Sequence, residues 1–121
     1  MGSDAVEPEF SIEREELDAA LLLRVTGELD LRNADSFIET ARSVSTDSPP
    51  VLGVHLGAVT FIDSTGIRSL VQVADDLKAS GRGMRIVAPS RIVTRALQVT
   101  GIDERLDIDQ DVDAFAAQSG P

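Results

Sequence analysis

Apolar residues in this chain recur with two different periods, and the switches between them mark out the elements. Phe10-Ser11-Ile12 opens a weakly alternating run that predicts a first strand. Glu15 to Asp18, polar but for Leu17, reads as a turn. The mostly apolar Ala20-Leu21-Leu22-Leu23-Arg24-Val25 after them reads as a central strand. So short a polar link predicts a hairpin between the two. Gly27-Glu28-Leu29-Asp30 then breaks the strand. Beyond it, Ala34, Phe37, Ile38 and Ala41 stand at i, i+3, i+4 and i+7. That spacing is one face of a helix, which Asn33 can cap and which runs to about Arg42.

Residues 45–50 hold Ser, Thr, Asp and two prolines and predict a loop. Residues 51–56 read as a buried strand, and Val59-Thr60-Phe61-Ile62 carries it on to a turn at Asp63-Ser64. A second helix follows over about 64–80. Its apolar stripe is Ile67, Leu70, Val71, Ala74 and Leu77, with Gln72, Asp75, Asp76 and Lys78 off it, and Ser80-Gly81 ends it. Met84-Arg85-Ile86-Val87-Ala88 is the next strand. Pro89-Ser90 starts a third helix with Ile92, Val93, Ala96 and Leu97 on one face, and Gly101 stops it. Leu106-Asp107-Ile108 is a short edge strand, and residues 112–117 form a last helix. Strands alternating with helices imply an α/β domain built on a mostly parallel or mixed sheet with right-handed crossovers.

Composition narrows what such a domain can do. The chain's 121 residues suit one domain, over residues 10–118, with a polar, acidic and flexible tail at 1–9. There is no cysteine and one histidine, His55, which leaves no thiolate or histidine cluster for a metal and points to a reducing compartment, the cytoplasm. Neither a metal nor another cofactor is expected. No apolar run reaches the roughly 20 residues that cross a bilayer. The formal net charge of −10 repels phosphate backbones, so nucleic acid is an unfavourable partner. Arg82, Arg85, Arg91, Arg95 and Arg105 concentrate in the last third and read as solvated surface charge.

Catalytic signatures fail on inspection. No Gly-Lys-Ser/Thr string exists for a phosphate-binding loop. Gly81-Arg82-Gly83 begins like a dinucleotide fingerprint, but Ile86 stands where the third glycine belongs and a strand follows. Ser64 has Gly66 after it but Ile62 before it, half of a nucleophile elbow. His55 lies inside an apolar strand and reads as a strand histidine. The acidic run Asp103-Glu104, Asp107, Asp109, Asp111 and Asp113 lacks the glycine and terminal glutamate of a calcium loop and reads as a solvated edge. The chain is therefore not expected to be an enzyme.

The turn Asp63-Ser64-Thr65-Gly66 joins a buried strand to the most regular amphipathic helix. Ser64 is placed to be that helix's N-cap, its hydroxyl accepting from the N–H of Gly66 or Ile67. Gly66 removes side-chain bulk from the first turn, which lets another backbone approach, although glycine in a helix costs about 1 kcal/mol relative to alanine. An exposed hydroxyl at a helix start is also where a phosphate is best tolerated, because free N–H groups and the helix dipole favour an anion.

Together with Gly27-Glu28-Leu29-Asp30 upstream, the string Phe61-Ile62-Asp63-Ser64-Thr65-Gly66-Ile67 resembles the bacterial anti-sigma factor antagonists, which are STAS-domain proteins. The resemblance covers roughly residues 10–118. It implies a STAS-type α/β fold: a mixed sheet of about five strands with about four helices, mainly on one face. It further implies that the unphosphorylated protein binds an anti-sigma factor that is also a serine kinase, freeing a sigma factor for transcription. The kinase would phosphorylate Ser64, and a PP2C-type phosphatase would reverse this. Asp30, Asp63, Ser64, Thr65 and Gly66 map to the partner-binding region. Thr65 stands where many members carry a second serine.

Two other readings compete. One keeps the fold as a scaffold or ligand-carrying module in a stress-sensing or lipid-transport assembly; the intact phosphoacceptor serine and the standalone domain favour the antagonist. The other is a phosphotransfer receiver, which wants a lysine near the end of the chain, whereas the only lysine, Lys78, sits in a helix. An exposed edge strand leaves a homodimer open.

Overall fold

The alternating segment after Phe10 forms β1 (Ser11–Leu17), which pairs antiparallel with β2 (Ala20–Leu29), Ile12 opposite Val25 and Leu17 opposite Ala20. The computed structural model describes residues 9–17, 20–45 and 51–119. Residues 15–17, expected in a turn, prolong the strand. Their pairing with the apolar start of β2 overrides local polarity, and Arg24 Nε donates to Glu15 Oε1 at 2.8 Å across the ladder. The tail expected at 1–9 lies outside the described residues except for Glu9, as does the loop expected at 45–50 except for Ser45.

Gly27 does not end β2. It takes a φ of 96°, and the pairing steps from Gly27–Val59 to Glu28–Phe61, so Thr60 is the extra residue of a bulge. The strand continues to Leu29. After α1 (Ala34–Ser45), β3 runs unbroken over Val51–Ile62, followed by α2 (Ser64–Ala79), β4 (Gly83–Val87), α3 (Arg91–Thr100), a short 3-10 helix (Ile102–Glu104), β5 (Asp107–Asp109) and α4 (Val112–Ser119). Asn33 precedes α1, but its side-chain amide donates to the Glu28 carbonyl at 2.7 Å. The expected cap is thus a brace between the loop and β2.

The sheet order is β1-β2-β3-β4-β5, with β1 antiparallel and the rest parallel. Five strands in one mixed sheet with four α-helices is the architecture that the resemblance implied. Alternation along β2 explains its continuous apolar run. Leu21, Leu23 and Val25 enter a large core with Phe37 of α1, Leu70 of α2 and Leu97 of α3, while Leu22 joins a small cluster with Val87 and Phe115 of α4. On α2, Val73 is buried and Val71 only half-buried, so the stripe is rotated slightly from the expected one.

Two charges expected at the solvated surface instead meet as a pair, Asp109 buried and Arg85 partly buried. Asp109 is 3% exposed, and the Arg85 guanidinium grips it with Nε donating to Oδ2 at 2.7 Å and Nη2 to Oδ1 at 3.1 Å. Gln118 Nε2 adds a bond to Asp109 Oδ1 at 2.7 Å, tying α4 to the strand pair. The hydrogen bond to Asp109 raises Arg85 above its ordinary value, so the guanidinium stays charged.

Candidate functional site

The parallel strands β2 and β3 end side by side, with Leu29 and Ile62 as their last paired residues. The chain leaving each strand builds the site. Asp63 stays extended (φ −111°, ψ −175°) and is the N-cap of α2, its Oδ1 accepting from the Gly66 N–H at 2.9 Å. Ser64 is therefore not the cap. Strand pairing that persists through Ile62 makes Asp63 the last extended residue, and a carboxylate has two oxygens to use. Its Oδ2 accepts from the Leu31 N–H at 3.2 Å, so one side chain both caps α2 and tethers the β2–α1 loop.

This frees the Ser64 hydroxyl. Ser64 is the first residue of α2 and is exposed, while Thr65 is half-buried and Gly66 buried. The N–H groups of Ser64 and Thr65 belong to the first helical turn, where no intrahelical acceptor exists. Gly66 is needed where it is: a Cβ there would collide with the Leu29 carbonyl oxygen and lie 2.9 Å from both the Leu29 carbonyl carbon and Ile62 Cγ1. The close backbone approach expected of this glycine is thus made by the end of β2. Leu29 also accepts from the Asp63 N–H at 3.4 Å, so α2 is stitched directly to that strand end.

Asp30 sits beneath this surface and is 8% exposed. Its Oδ1 accepts from the Arg32 N–H at 3.0 Å, and its Oδ2 from Arg32 Nη2 at 2.9 Å and Nε at 3.3 Å. Its carbonyl accepts from the Asn33 and Ala34 N–H groups. The Arg32 side chain, which also reaches Glu28 Oε1 at 2.8 Å, holds the Asp30 carboxyl below its ordinary value against a smaller opposing effect of burial. Asp30 thereby shapes the loop that carries its neighbours.

Two of those neighbours are apolar and were not singled out by motif reasoning. Leu31 is 74% exposed and Phe61 44% exposed. Leu31 follows Asp30 directly and donates its N–H to Asp63; Phe61 precedes the buried Ile62, so strand alternation turns it outward. That alternation, continued to the end of the strand, is the signal that would have found Phe61. Ser90, the N-cap of α3, donates Oγ to the Val59 carbonyl at 2.8 Å and its N–H to Leu56 at 3.1 Å, which sets the start of α3 beside the same half of β3.

Among the described residues, no side chain hydrogen-bonds the Ser64 hydroxyl to activate it as a nucleophile. Both Asp63 oxygens are engaged, and His55 lies further back in β3, where its Nδ1 accepts from the Gly57 N–H at 3.3 Å. Among the described residues, no three His, Asp or Glu side chains group to hold a metal ion. The arrangement is an exposed hydroxyl at the start of α2 with exposed apolar side chains on the neighbouring strand end and loop.

Comparison with known proteins agrees with this architecture. Residues 11–115 match the STAS domain family. The anti-sigma-F factor antagonist RsfB of Mycobacterium tuberculosis is 29% identical over 83 residues, which is 69% of this chain and 67% of RsfB. The crystal structure of an anti-sigma factor antagonist from Mycobacterium paratuberculosis superposes with a TM-score of 0.82 at 26% identity, covering 92% of this chain and 94% of that one. Bacillus SpoIIAA shares the fold in both its solved forms. The unphosphorylated form has a TM-score of 0.73 at 17% identity (92% of this chain, 98% of that one) and the phosphorylated form 0.67 at 15% (89% and 99%).

Proposed function

The chain belongs to the STAS domain family, and from that footing we propose that it is an anti-sigma factor antagonist, a cytoplasmic binding protein switched by phosphorylation of Ser64. In the unphosphorylated state it binds an anti-sigma factor with serine kinase activity, so that a sigma factor is released to activate transcription. A PP2C-type phosphatase restores the binding form. The observation that carries the reading is the placement of Ser64: an exposed hydroxyl, first in α2, beside a cap whose two oxygens are already committed. Leu31, Phe61, Ser64 and Thr65 present the docking surface, while Asp30, Asp63 and Gly66 hold it in shape.

The switch acts at the interface and leaves the fold alone. Phosphorylation adds about −1.5 to −2 charges at neutral pH. Within the domain the first-turn N–H groups soften that addition. Against a partner surface fitted to a hydroxyl, an uncompensated buried charge costs on the order of 3–5 kcal/mol, and about every 1.4 kcal/mol is tenfold in affinity. That SpoIIAA keeps this fold in its phosphorylated form supports a change at the surface without refolding.

The test is a titration of purified protein with candidate anti-sigma factors, followed by incubation with ATP and mass mapping of the added phosphate. Ser64→Ala should bind like the wild type and resist the kinase, and Ser64→Glu should bind at least tenfold more weakly. Equal affinity for Ser64→Glu and Ser64→Ala, or label on another residue, would refute the proposal.

A further inference from the structure

Ser64 and Arg68 stand at i and i+4 on α2, and both are exposed. Residues so spaced lie one above the other on a helix, and every helical Cα–Cβ bond tilts toward the N-terminus. The Arg68 side chain therefore starts out toward Ser64. Among the described residues no hydrogen bond or ion pair engages its guanidinium. The other arginine of this region, Arg32, is committed to Asp30 and Glu28 at 2.9 and 2.8 Å.

We infer that Arg68 is the receptor for the phosphoryl group on Ser64, closing over it as an i,i+4 ion pair along the first turn of α2. This rests on the reading of Ser64 as a phosphoacceptor. The chemistry fits in three respects. An acid at i with a base at i+4 is the favourable order on a helix. A guanidinium fork matches phosphate oxygens two at a time. And a cation there offsets the repulsion between the phosphate and the Asp63 carboxylate, which the Gly66 and Leu31 N–H groups hold in place. The charged groups on the adjoining elements are then Asp63 at the helix cap, Arg68 one turn on, Glu28 at the end of β2, and Asp30 and Arg32 on the tethered loop. Phosphorylation changes this face twice: it adds an anion at Ser64 and withdraws a free cation at Arg68.

The test uses full-length protein carrying phosphoserine at position 64, installed during synthesis so that no kinase is needed, and follows the phosphate by 31P NMR across pH. With Arg68 present, the second phosphate pKa should lie below its ordinary value near ~6. Arg68→Ala should move it upward by about half a unit, and Arg68→Lys should recover part of the difference. An exposed helix position tolerates either change, and circular dichroism of the unmodified variants checks that they fold. Identical titrations for the wild type and Arg68→Ala would overturn the inference whatever the partner titrations show. If instead the phosphorylated protein bound its anti-sigma factor undiminished while the pKa shift appeared, the ion pair would stand and the proposed switch would fall.

Discussion

Replacing Gly66 with alanine puts a methyl group where the end of β2 already is. The added carbon would meet the Leu29 carbonyl, 2.9 Å from its carbon and nearer still to its oxygen. Ile62 Cγ1, also 2.9 Å away, can rotate aside, but Leu29 is backbone and belongs to the last pair of the β2–β3 ladder. The helix itself must move. Overpacking costs about 1–3 kcal/mol, and the upper end applies because the obstacle cannot change rotamer. Alanine returns about 1 kcal/mol of helix propensity over glycine. The net loss is therefore about 1–2 kcal/mol, which for a domain of this size lowers the midpoint by roughly 4–10 °C. The chain has no Trp or Tyr, so far-UV circular dichroism during heating and urea unfolding is the assay. Gly83→Ala is the control: a Cβ there meets nothing within 4 Å, and its stability should stay within ~0.5 kcal/mol of the wild type. The same shift of α2 should stretch the Asp63–Leu31 tether and weaken partner binding. A Gly66→Ala protein as stable as the Gly83→Ala control would refute the close approach of α2 to Leu29.

Three further outcomes follow from the same geometry. Asp63→Ala should lose about 1 kcal/mol as the cap is removed, whereas Asp63→Asn, an equally good cap, should lose only a few tenths in urea unfolding. Asp109→Ala should cost about 1.5–3 kcal/mol by removing the charge-assisted hydrogen bonds of Arg85, which keeps only the exposed Asp107 at 3.6 Å, and amide exchange should rise in α4 as Gln118 loses its anchor. His55 should titrate below its ordinary 6.5, chiefly because burial disfavours the imidazolium and secondarily because Arg24 is near. A depressed histidine leaves the fold unpenalised above the unfolded value. As pH falls through 6.5 the unfolded chain protonates first and stability declines, until the folded value is passed. With a single histidine, one imidazole NMR signal reports the titration, and His55→Gln should flatten the stability profile through that window.

Much of this was legible in the order of residues. The order of strands and helices, the hairpin, the Gly101 stop at a left-handed φ of 75°, and the strand–turn–helix around Asp63-Ser64-Thr65-Gly66 all follow from local periodicity and turn chemistry. The misreadings share a cause. Residues 15–17 looked like a turn because their polarity was judged alone, without the β2 ladder they join. Gly27 looked like a strand end because its left-handed backbone suits a bulge and a break equally well. Arg85 and Asp109 looked solvated because each is charged; their pairing, with Asp109 buried, depends on meeting across β4 and β5, 24 residues apart.

At Ser64 the division is sharpest. The sequence by itself determined that a helix begins here, that a small hydroxyl stands at its start, and that a glycine two residues on invites close approach. It could not determine which side chain caps the helix, since Asp and Ser cap almost equally well. The β2–β3 register settled that by holding the chain extended through Ile62 and leaving the cap to Asp63. Only the tertiary fold brought Leu31 to the second oxygen of Asp63, buried Asp30, and left Leu31 and Phe61 exposed. Local chemistry is written in adjacent residues, whereas exposure depends on what distant strands place alongside them.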